Sequence, residues 1–304
     1  MKPPRHKPRA VALPIVLWCL AFMAGLVVLA AGIVNSWIEN ESRAERKFIA
    51  RQMALTGLAF GLNPEIKPGN PLLQRGTKET EGFDVRIANE ASRINPNFWI
   101  LQGGRPLFLK LFASWGADLK QSEAAIDGLQ DWIDPDDLLS LNGAERGEYT
   151  RAGRPGYPAN RPIKHIREME AIMNLAPLLA AKEGWQELFT VWYSGKISVQ
   201  HATEQTLSSL AELTPVQIET FFEVRNGLDG IQGTEDDQKF ESIEAVAGFL
   251  GAIGRQRTGL LQFFDTSGDI RRIESTGFCG GIRHRIIVVA PSGAPGQIMS
   301  WEEK

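Results

Sequence analysis

The residues of this chain best suited to chemistry are carboxylates, and they gather in two places. Residues 226–237, NGLDGIQGTEDD, hold Asp229, Glu235, Asp236 and Asp237 with Gly227, Gly230 and Gly233 among them. Calcium takes roughly six to eight oxygen ligands from carboxylates, carbonyls and water, and glycines let a short loop wrap around the ion. Like charges held this close repel unless something neutralises them. The pattern therefore points to bound calcium, against the plainer reading of a solvated acidic loop. It is not an EF-hand, because the closing glutamate of that loop is missing. The second cluster, Asp131, Asp134, Asp136, Asp137 and Glu145, is a weaker metal candidate. Asp134 and Asp136 also suit turn-capping roles around Pro135.

Catalytic readings find few residues to use. The chain has no His-Glu-x-x-His, no Gly-x-Ser-x-Gly, no Walker phosphate loop and no Cys-x-x-Cys. His165, His201 and His284 stand isolated from one another. A protein without enzymatic activity is expected.

The element that must carry these clusters is Ala10 to Val34, a run of 25 residues without a charge. A helix rises ~1.5 Å per residue, so the run exceeds the ~20 residues that match a hydrocarbon core about 30 Å thick. Lys2, Arg5, Lys7 and Arg9 precede it with no acid, and Glu39, Glu41 and Glu45 follow. By the positive-inside bias the basic head stays in the cytoplasm and everything after Val34 is exported. The expectation is a single-pass membrane protein with a cytoplasmic N-terminus and an exported head. The competing reading is a cleaved signal peptide, whose apolar core is normally only ~7–15 residues. Leu29-Ala30-Ala31 offers such a cleavage site.

The 304 residues, 43% hydrophobic and 23% charged, suffice for one or two packed domains outside the membrane. Beyond residue 34 stand 29 of the 33 lysines and arginines against all 36 acids, a formal charge of −7. That balance argues against nucleic acid as the main partner. Cys19 lies within the apolar run and Cys279 far from it, so no disulfide is expected.

Trp37 to Leu62 contains no proline or turn cluster and mixes Ile38, Ile49, Met53, Leu55, Leu58 and Leu62 with charged residues, an amphipathic continuation of the first helix. Trp37 would mark the lipid boundary. Asn63-Pro64 and Pro68-Gly69-Asn70-Pro71 stop the stem, which is thus one helix roughly fifty residues long. Gly82 to Ile87 alternates like a half-buried strand, and Asn89 to Asn97 reads as a polar turn. Leu107, Leu111 and Trp115, then Ala125 to Ile133, form helical stripes. Thr214 is placed as N-cap, Pro215 as the first helical residue, Gln217 as the partner in a capping box and Gly227 as the terminator. A short helix covers Ser242 to Leu250. Asp269 to Thr276 and Arg285 to Ala290 read as strands joined through Phe278-Cys279-Gly280-Gly281, and Pro291 onward is a Gly/Pro/Ser tail with little to bury. Strand, helices, then strands suggest one sheet with a helical domain inserted into it.

These residues resemble the type II secretion system minor pseudopilin K family over nearly the whole chain. The likeness lies in Arg9-Ala10-Val11-Ala12-Leu13, in Val85, Ile87, Asn89-Glu90 and Arg93-Ile94-Asn95, in Asp131-Trp132-Ile133-Asp134-Pro135-Asp136-Asp137 with Asn142-Gly143-Ala144-Glu145, and in Pro155, Tyr157, Asn160 and Pro162. The tryptophan among acids is the most specific of these. The resemblance implies an α+β fold: a single N-terminal transmembrane helix continuing into a pilin-like stem, and an antiparallel sheet with a large inserted α-helical domain. The implied division is a leader at 1–10, the membrane helix at 11–34, stem and first sheet part at 35–105, the insert at 106–257, returning strands at 258–290 and a tail at 291–304. It further implies that a prepilin peptidase cuts between Ala10 and Val11 and methylates Val11, and that calcium binds in the helical domain. The implied partners are the I-type and J-type minor pseudopilins, the major pseudopilin and inner-membrane lipid.

Two positions depart from the family pattern. Ala10 replaces the usual glycine before the cut, which is expected to slow it, and Ile197 to Thr203 matches only loosely. Ile15 occupies the fifth mature position, where most pilin-like proteins carry glutamate, and this absence is shared with the family. An unpaired charge in hydrocarbon is expensive, so a subunit without that glutamate suits the end of the stack. The resemblance thus implies the tip of the pseudopilus, where assembly and export across the outer membrane begin.

The alternative from another class is a membrane-anchored DNA-binding protein of an uptake system. Leu207, Leu210 and Leu213 before Thr214-Pro215 resemble half of a helix-hairpin-helix. Such hairpins hold phosphate on exposed backbone N–H groups, but here the turn is Ala211-Glu212-Leu213-Thr214, with an acid in it.

Overall fold

The computed structural model describes residues 12–77, 80–234, 236–268, 270–294 and 296–304; the side chains of 12–13 and 31–41 lie outside the described residues. α1, Ala12–Leu62, is unbroken for 51 residues, roughly 75 Å at the helical rise. It ends where Asn63 and Pro64 follow, since a proline ring excludes the helical conformation from the residue before it. The side chains from Pro14 to Ala30 are all exposed. The second half behaves differently, burying Ala50, Ala54 and Leu58. Among the described residues no helix is long and apolar enough to cross a membrane. The expected span, 10–34, runs past the described side chains at both ends, and its spanning role rests on sequence alone.

After the stem come β1 (Gln74–Arg75) and β2 (Glu81–Asn89). The chain then enters the helical insert: α2 (Pro96–Leu101), α3 (Arg105–Ser114), α4 (Leu119–Ile133), α5 (Arg146–Arg151), α6 (Ala176–Ala181), β3 (Ile197–Ser198), α7 (Glu204–Ala211), α8 (Pro215–Arg225), α9 (Ile243–Phe249), α10 (Gly254–Phe263) and β4 (Phe264–Asp265). It returns as β5 (Ile270–Cys279), β6 (Ile282–Pro291) and β7 (Ser300–Glu303). The main sheet has the order β1-β2-β5-β6-β7, antiparallel throughout, while β3 and β4 pair in parallel.

α1 lies across the inner face of this sheet, on β2, β5 and β6. The two backbones touch: a Cβ on Gly277 of β5 would sit 2.0 Å from the Ala50 carbonyl oxygen. Ser275 Oγ donates to the Ala54 carbonyl at 2.7 Å. Leu58, Phe83, Val85, Ile273, Ile286 and Val288 fill the space between helix and sheet. The insert has its own core, built on Phe108, Phe112, Trp132, Tyr149 and Phe221. A ladder of charges runs from the start of the insert onto the sheet. Arg272 bonds Glu90 at 3.2 Å and Glu274 at 2.9 Å, and Glu274 also takes Arg285. Burial alone would raise the Glu274 carboxyl, but the two arginines hold it below the usual range.

Three local expectations need correction. The polar turn at 89–97 contains a short 3-10 helix at Glu90–Ser92 and the start of α2, where the Asn95 side chain caps Asn97 and Phe98. Phe278 and Cys279 belong to β5 rather than to a turn, because Gly280 and Gly281 alone make the connection to β6 at Ile282. The tail is not structureless: Ser300–Glu303 pairs with β6 as the last strand of the sheet.

Candidate functional site

α8 delivers the first acidic cluster. Its start is the expected capping box, with Gln217 N donating to Thr214 Oγ1 at 3.3 Å, Thr214 N donating to Gln217 Oε1 at 3.0 Å, and Pro215 in the first turn. Asn226 ends it and Gly227 follows at φ 64°. A Cβ on Gly227 would meet Asp236 Oδ2 at 2.3 Å, so the loop closes only over glycine.

The loop's carboxylates accept from the loop's own donors. Asp236 accepts from Leu228 N at 2.6 Å, Asp229 N at 3.2 Å and Thr234 Oγ1 at 2.8 Å. Asp237 accepts from Gly233 N at 2.6 Å, and Asp229 from Ile231 N at 2.7 Å. The Thr234 bond, with the backbone bonds behind it, holds the Asp236 carboxyl below its ordinary value. Glu235 lies outside the described residues. Beneath the loop, buried Arg225 stacks over Phe222 at 4.3 Å and donates to the Ala202 carbonyl at 2.7 Å. Burial lowers its pKa to about 10, opposed by the charge of Asp237.

The second cluster divides by burial. Asp131, on the last turn of α4, is fully buried beside Trp132 and accepts from Ser140 N at 3.3 Å. A Cβ on Gly143 would come within 2.0 Å of Asp131 Oδ2, so the 140–145 loop folds over the carboxylate with no room to spare. Asp134 ends α4 with Oδ1 buried and unpartnered, and both carboxylate oxygens of buried Glu145 are unpartnered as well. Desolvation, then the charges of Asp136 and Asp131, push Asp134 up to about 6. Desolvation, then Asp131, Asp134 and Asp137, push Glu145 up to about 7. Asp136 and Asp137 are exposed and serve as acceptors, Asp136 for Leu138 N at 2.9 Å and Asp137 for Asn160 Nδ2 at 3.1 Å.

Asp127 was not among the sequence candidates, yet it organises this region. It accepts from Arg105 at 2.7 Å and from Asn142 N and Nδ2 at 3.1 and 3.0 Å. Burial would raise its pKa, but these bonds carry it below the ordinary value. Its spacing of one helical turn before Asp131, inside an apolar stripe, was the available signal.

Among the described residues no group of three or more His, Cys, Asp or Glu is arranged to hold a metal ion. The two clusters differ in their chemistry all the same. The loop at 229–237 has most of its oxygens engaged, whereas Asp134 and Glu145 keep buried oxygens that a proton or a cation would satisfy.

The remaining positions are peripheral to both clusters. Ile15 is exposed on α1, the side chain of Trp37 and both Ala10 and Val11 lie outside the described residues, and the two cysteines are free. In the turn before α8, Glu212 adopts φ 54° and bonds Lys110 Nζ at 2.5 Å, placing a paired carboxylate where a phosphate-holding hairpin needs bare N–H groups.

Residues 99–182 match the family model of the type II secretion system protein K, first domain. That stretch contains Asp131, Asp134, Asp136, Asp137 and Glu145. The protein K of Dickeya chrysanthemi is 33% identical over 69 residues, 23% of this chain, and the alignment spans only 18% of that relative's length. In fold, the chain is similar to a chain of the GspK-GspI-GspJ complex from the enterotoxigenic Escherichia coli type 2 secretion system, at a TM-score of 0.60 and 15% identity, over 89% of this chain and 99% of that one. None of these matches supports the DNA-binding alternative. The resemblance read from the residues is therefore shown: the chain resembles protein K of the type II secretion system, in sequence across the first part of the helical insert and in fold across nearly its whole length.

Proposed function

We propose that this chain is a non-enzymatic minor pseudopilin at the tip of a periplasmic pseudopilus, helping to initiate its assembly and the export of proteins across the outer membrane. The observation that carries this reading is the stem. One helix shows solvent an apolar half from Pro14 to Ala30, then lays its second half on a five-stranded antiparallel sheet interrupted by a helical insert. An exposed apolar half-helix needs lipid or other helices around it, and Ile15 in place of an acid leaves no membrane-embedded charge to pair with a following subunit. On this reading 11–34 spans the inner membrane with the head in the periplasm, a prepilin peptidase cleaves between Ala10 and Val11, and I-type, J-type and major pseudopilins are the assembly partners. The similar solved chain comes from a complex of K, I and J proteins, which supports the I-type and J-type partners.

Calcium is the cation the acidic clusters fit best by donor chemistry, all ligands being hard oxygens. Asp131, Asp134 and Glu145 are not arranged around an ion among the described residues and would hold one only once drawn together, with Asp136 and Asp137 beside them. Asp229, Glu235, Asp236 and Asp237 would hold it in the loop after α8, where Asp236 must first release its backbone donors. Bound ion would neutralise carboxylates and cross-link loops in a chain with no disulfide.

Mass spectrometry of the protein isolated from membranes tests the processing step. A mature N-terminus at methylated Val11 in the membrane fraction is expected; a soluble protein starting near Gly32 would replace this reading with a cleaved signal peptide.

A further inference from the structure

β7 is an edge of the main sheet. Arg285 and Lys304 exchange both backbone hydrogen bonds, at 3.0 and 2.8 Å. Bonded and non-bonded residues alternate along an antiparallel ladder, so Trp301 and Glu303 turn their N–H and C=O groups away from β6, onto the open edge. Exposed apolar side chains gather there: Ile298, Met299 and Trp301 are 47%, 38% and 43% exposed. An edge with free backbone groups and apolar side chains is a template for another strand.

A cleft of about 110 Å³ opens along the outer face of the same strand, between the sheet and the insert. It is lined by Ser300, Glu302 and Lys304 of β7 and the residue after it, by Lys164 and Arg167 of the insert, and by apolar residues that include Phe189 and Val289. Each acid lining the cleft already has a cation: Glu302 pairs with Lys304 at 3.1 Å, Glu187 with Arg93 at 2.6 Å and Glu90 with Arg272 at 3.2 Å. Lys164 and Arg167 have no carboxylate partner among the described residues. The unsatisfied charge of the cleft is thus positive, in a head that is otherwise acidic.

We propose that the open edge of β7 receives an extended acidic segment of another protein. Its main chain would bond Trp301 and Glu303, and the side chains on one of its faces would cross the cleft to Lys164 and Arg167. Charge decides the partner's chemistry: a basic segment would find every acid in the cleft already paired, whereas an acidic one finds two free cations.

The test uses the full chain in detergent micelles and two fluorescently labelled octapeptides, one alternating glutamate with valine and one alternating lysine with valine, read by fluorescence anisotropy. Saturable binding of the glutamate peptide alone is expected, weakening as salt screens the pair. In Trp301→Pro an N–H that faces the open edge is lost together with the indole and its bond to Glu303, while the backbone bonds to β6 stay. Binding should fall about tenfold, the scale of one hydrogen bond, with the melting temperature kept. Lys164→Glu combined with Arg167→Glu, both on the surface of the insert, should abolish the preference between the peptides. No binding of the glutamate peptide, equal binding of both, or binding untouched by both variants would overturn the proposal.

Discussion

Arg51 of the stem helix and Glu303 of the last strand form a two-pronged pair, Nε and one terminal nitrogen each 2.9 Å from a separate carboxylate oxygen, across 252 residues of sequence. His284 Nε2 and Trp301 Nε1 also reach this carboxylate, each at 3.0 Å. Glu303 is where the end of the chain is fastened to the stem.

The fastening makes a prediction about pH and local opening. The Arg51 bond first, then the Trp301 bond, draw the Glu303 pKa down to about 2. A depressed carboxyl contributes stability that is present above its unfolded value, near 4.5, and is lost as pH falls toward 2. Glu303→Gln should therefore speed exchange of the Glu302 and Lys304 amides, which face β6, at neutral pH and remove the acid dependence of their protection relative to the unfolded chain. The rest of the sheet should exchange as before, because the group is largely exposed and the pair is screened.

The contact between stem and sheet depends on the absence of a side chain at Gly277, where a Cβ would lie 2.0 Å from the Ala50 oxygen. Gly277→Ala must lift the helix off β5, and overpacking of this kind costs about 1–3 kcal/mol. A lower melting temperature is expected, with the insert's own near-UV signal kept, since its core does not include this contact. Circular dichroism of the variant and the parent chain makes the comparison.

The buried carboxylates of the insert yield a prediction of opposite sign. Glu145 is raised from 4.5 to about 7 and Asp134 from 3.8 to about 6, so the folded state holds protons that the unfolded state has released. That stability is fully present below the unfolded values and is lost as pH rises through 6 to 7. In chelator, the melting temperature should fall between pH 5 and pH 8. Calcium should restore it at pH 8, by an amount that grows with free ion as RT ln(1 + [L]/Kd). Glu145→Gln should flatten the pH dependence and remove most of the calcium effect. Identical melting with calcium and with chelator at pH 8 would remove calcium from the proposed function.

Much of this architecture is legible in the chain because local rules and tertiary packing agree. Thr214, Pro215 and Gln217 announce the start of α8 by capping chemistry alone, and the alternation of Phe83 and Val85 with Asp84 and Arg86 reports one face on the stem and one in solvent. The stem helix follows from an apolar run continued by an amphipathic one. β7 could not be read the same way. Ser300 to Glu303 is four residues behind a Gly/Pro/Ser stretch, and only β6 and Arg51 give it a partner. The acidic clusters likewise looked alike in composition. Their difference is tertiary: Gly143 folds the 140–145 loop over Asp131 and buries Glu145, whereas Asp229, Asp236 and Asp237 stay within reach of their own backbone.

The proposed role at a pseudopilus tip is tested most directly by co-expressing the full chain with I-type and J-type minor pseudopilins, extracting the membranes in mild detergent and measuring the mass of what co-purifies. A ternary complex with one copy of each is expected, together with loss of pseudopilus assembly when this chain is withheld and its recovery when the chain is restored. A chain that elutes alone at every concentration with both partners present, and whose absence leaves assembly unchanged, would contradict it.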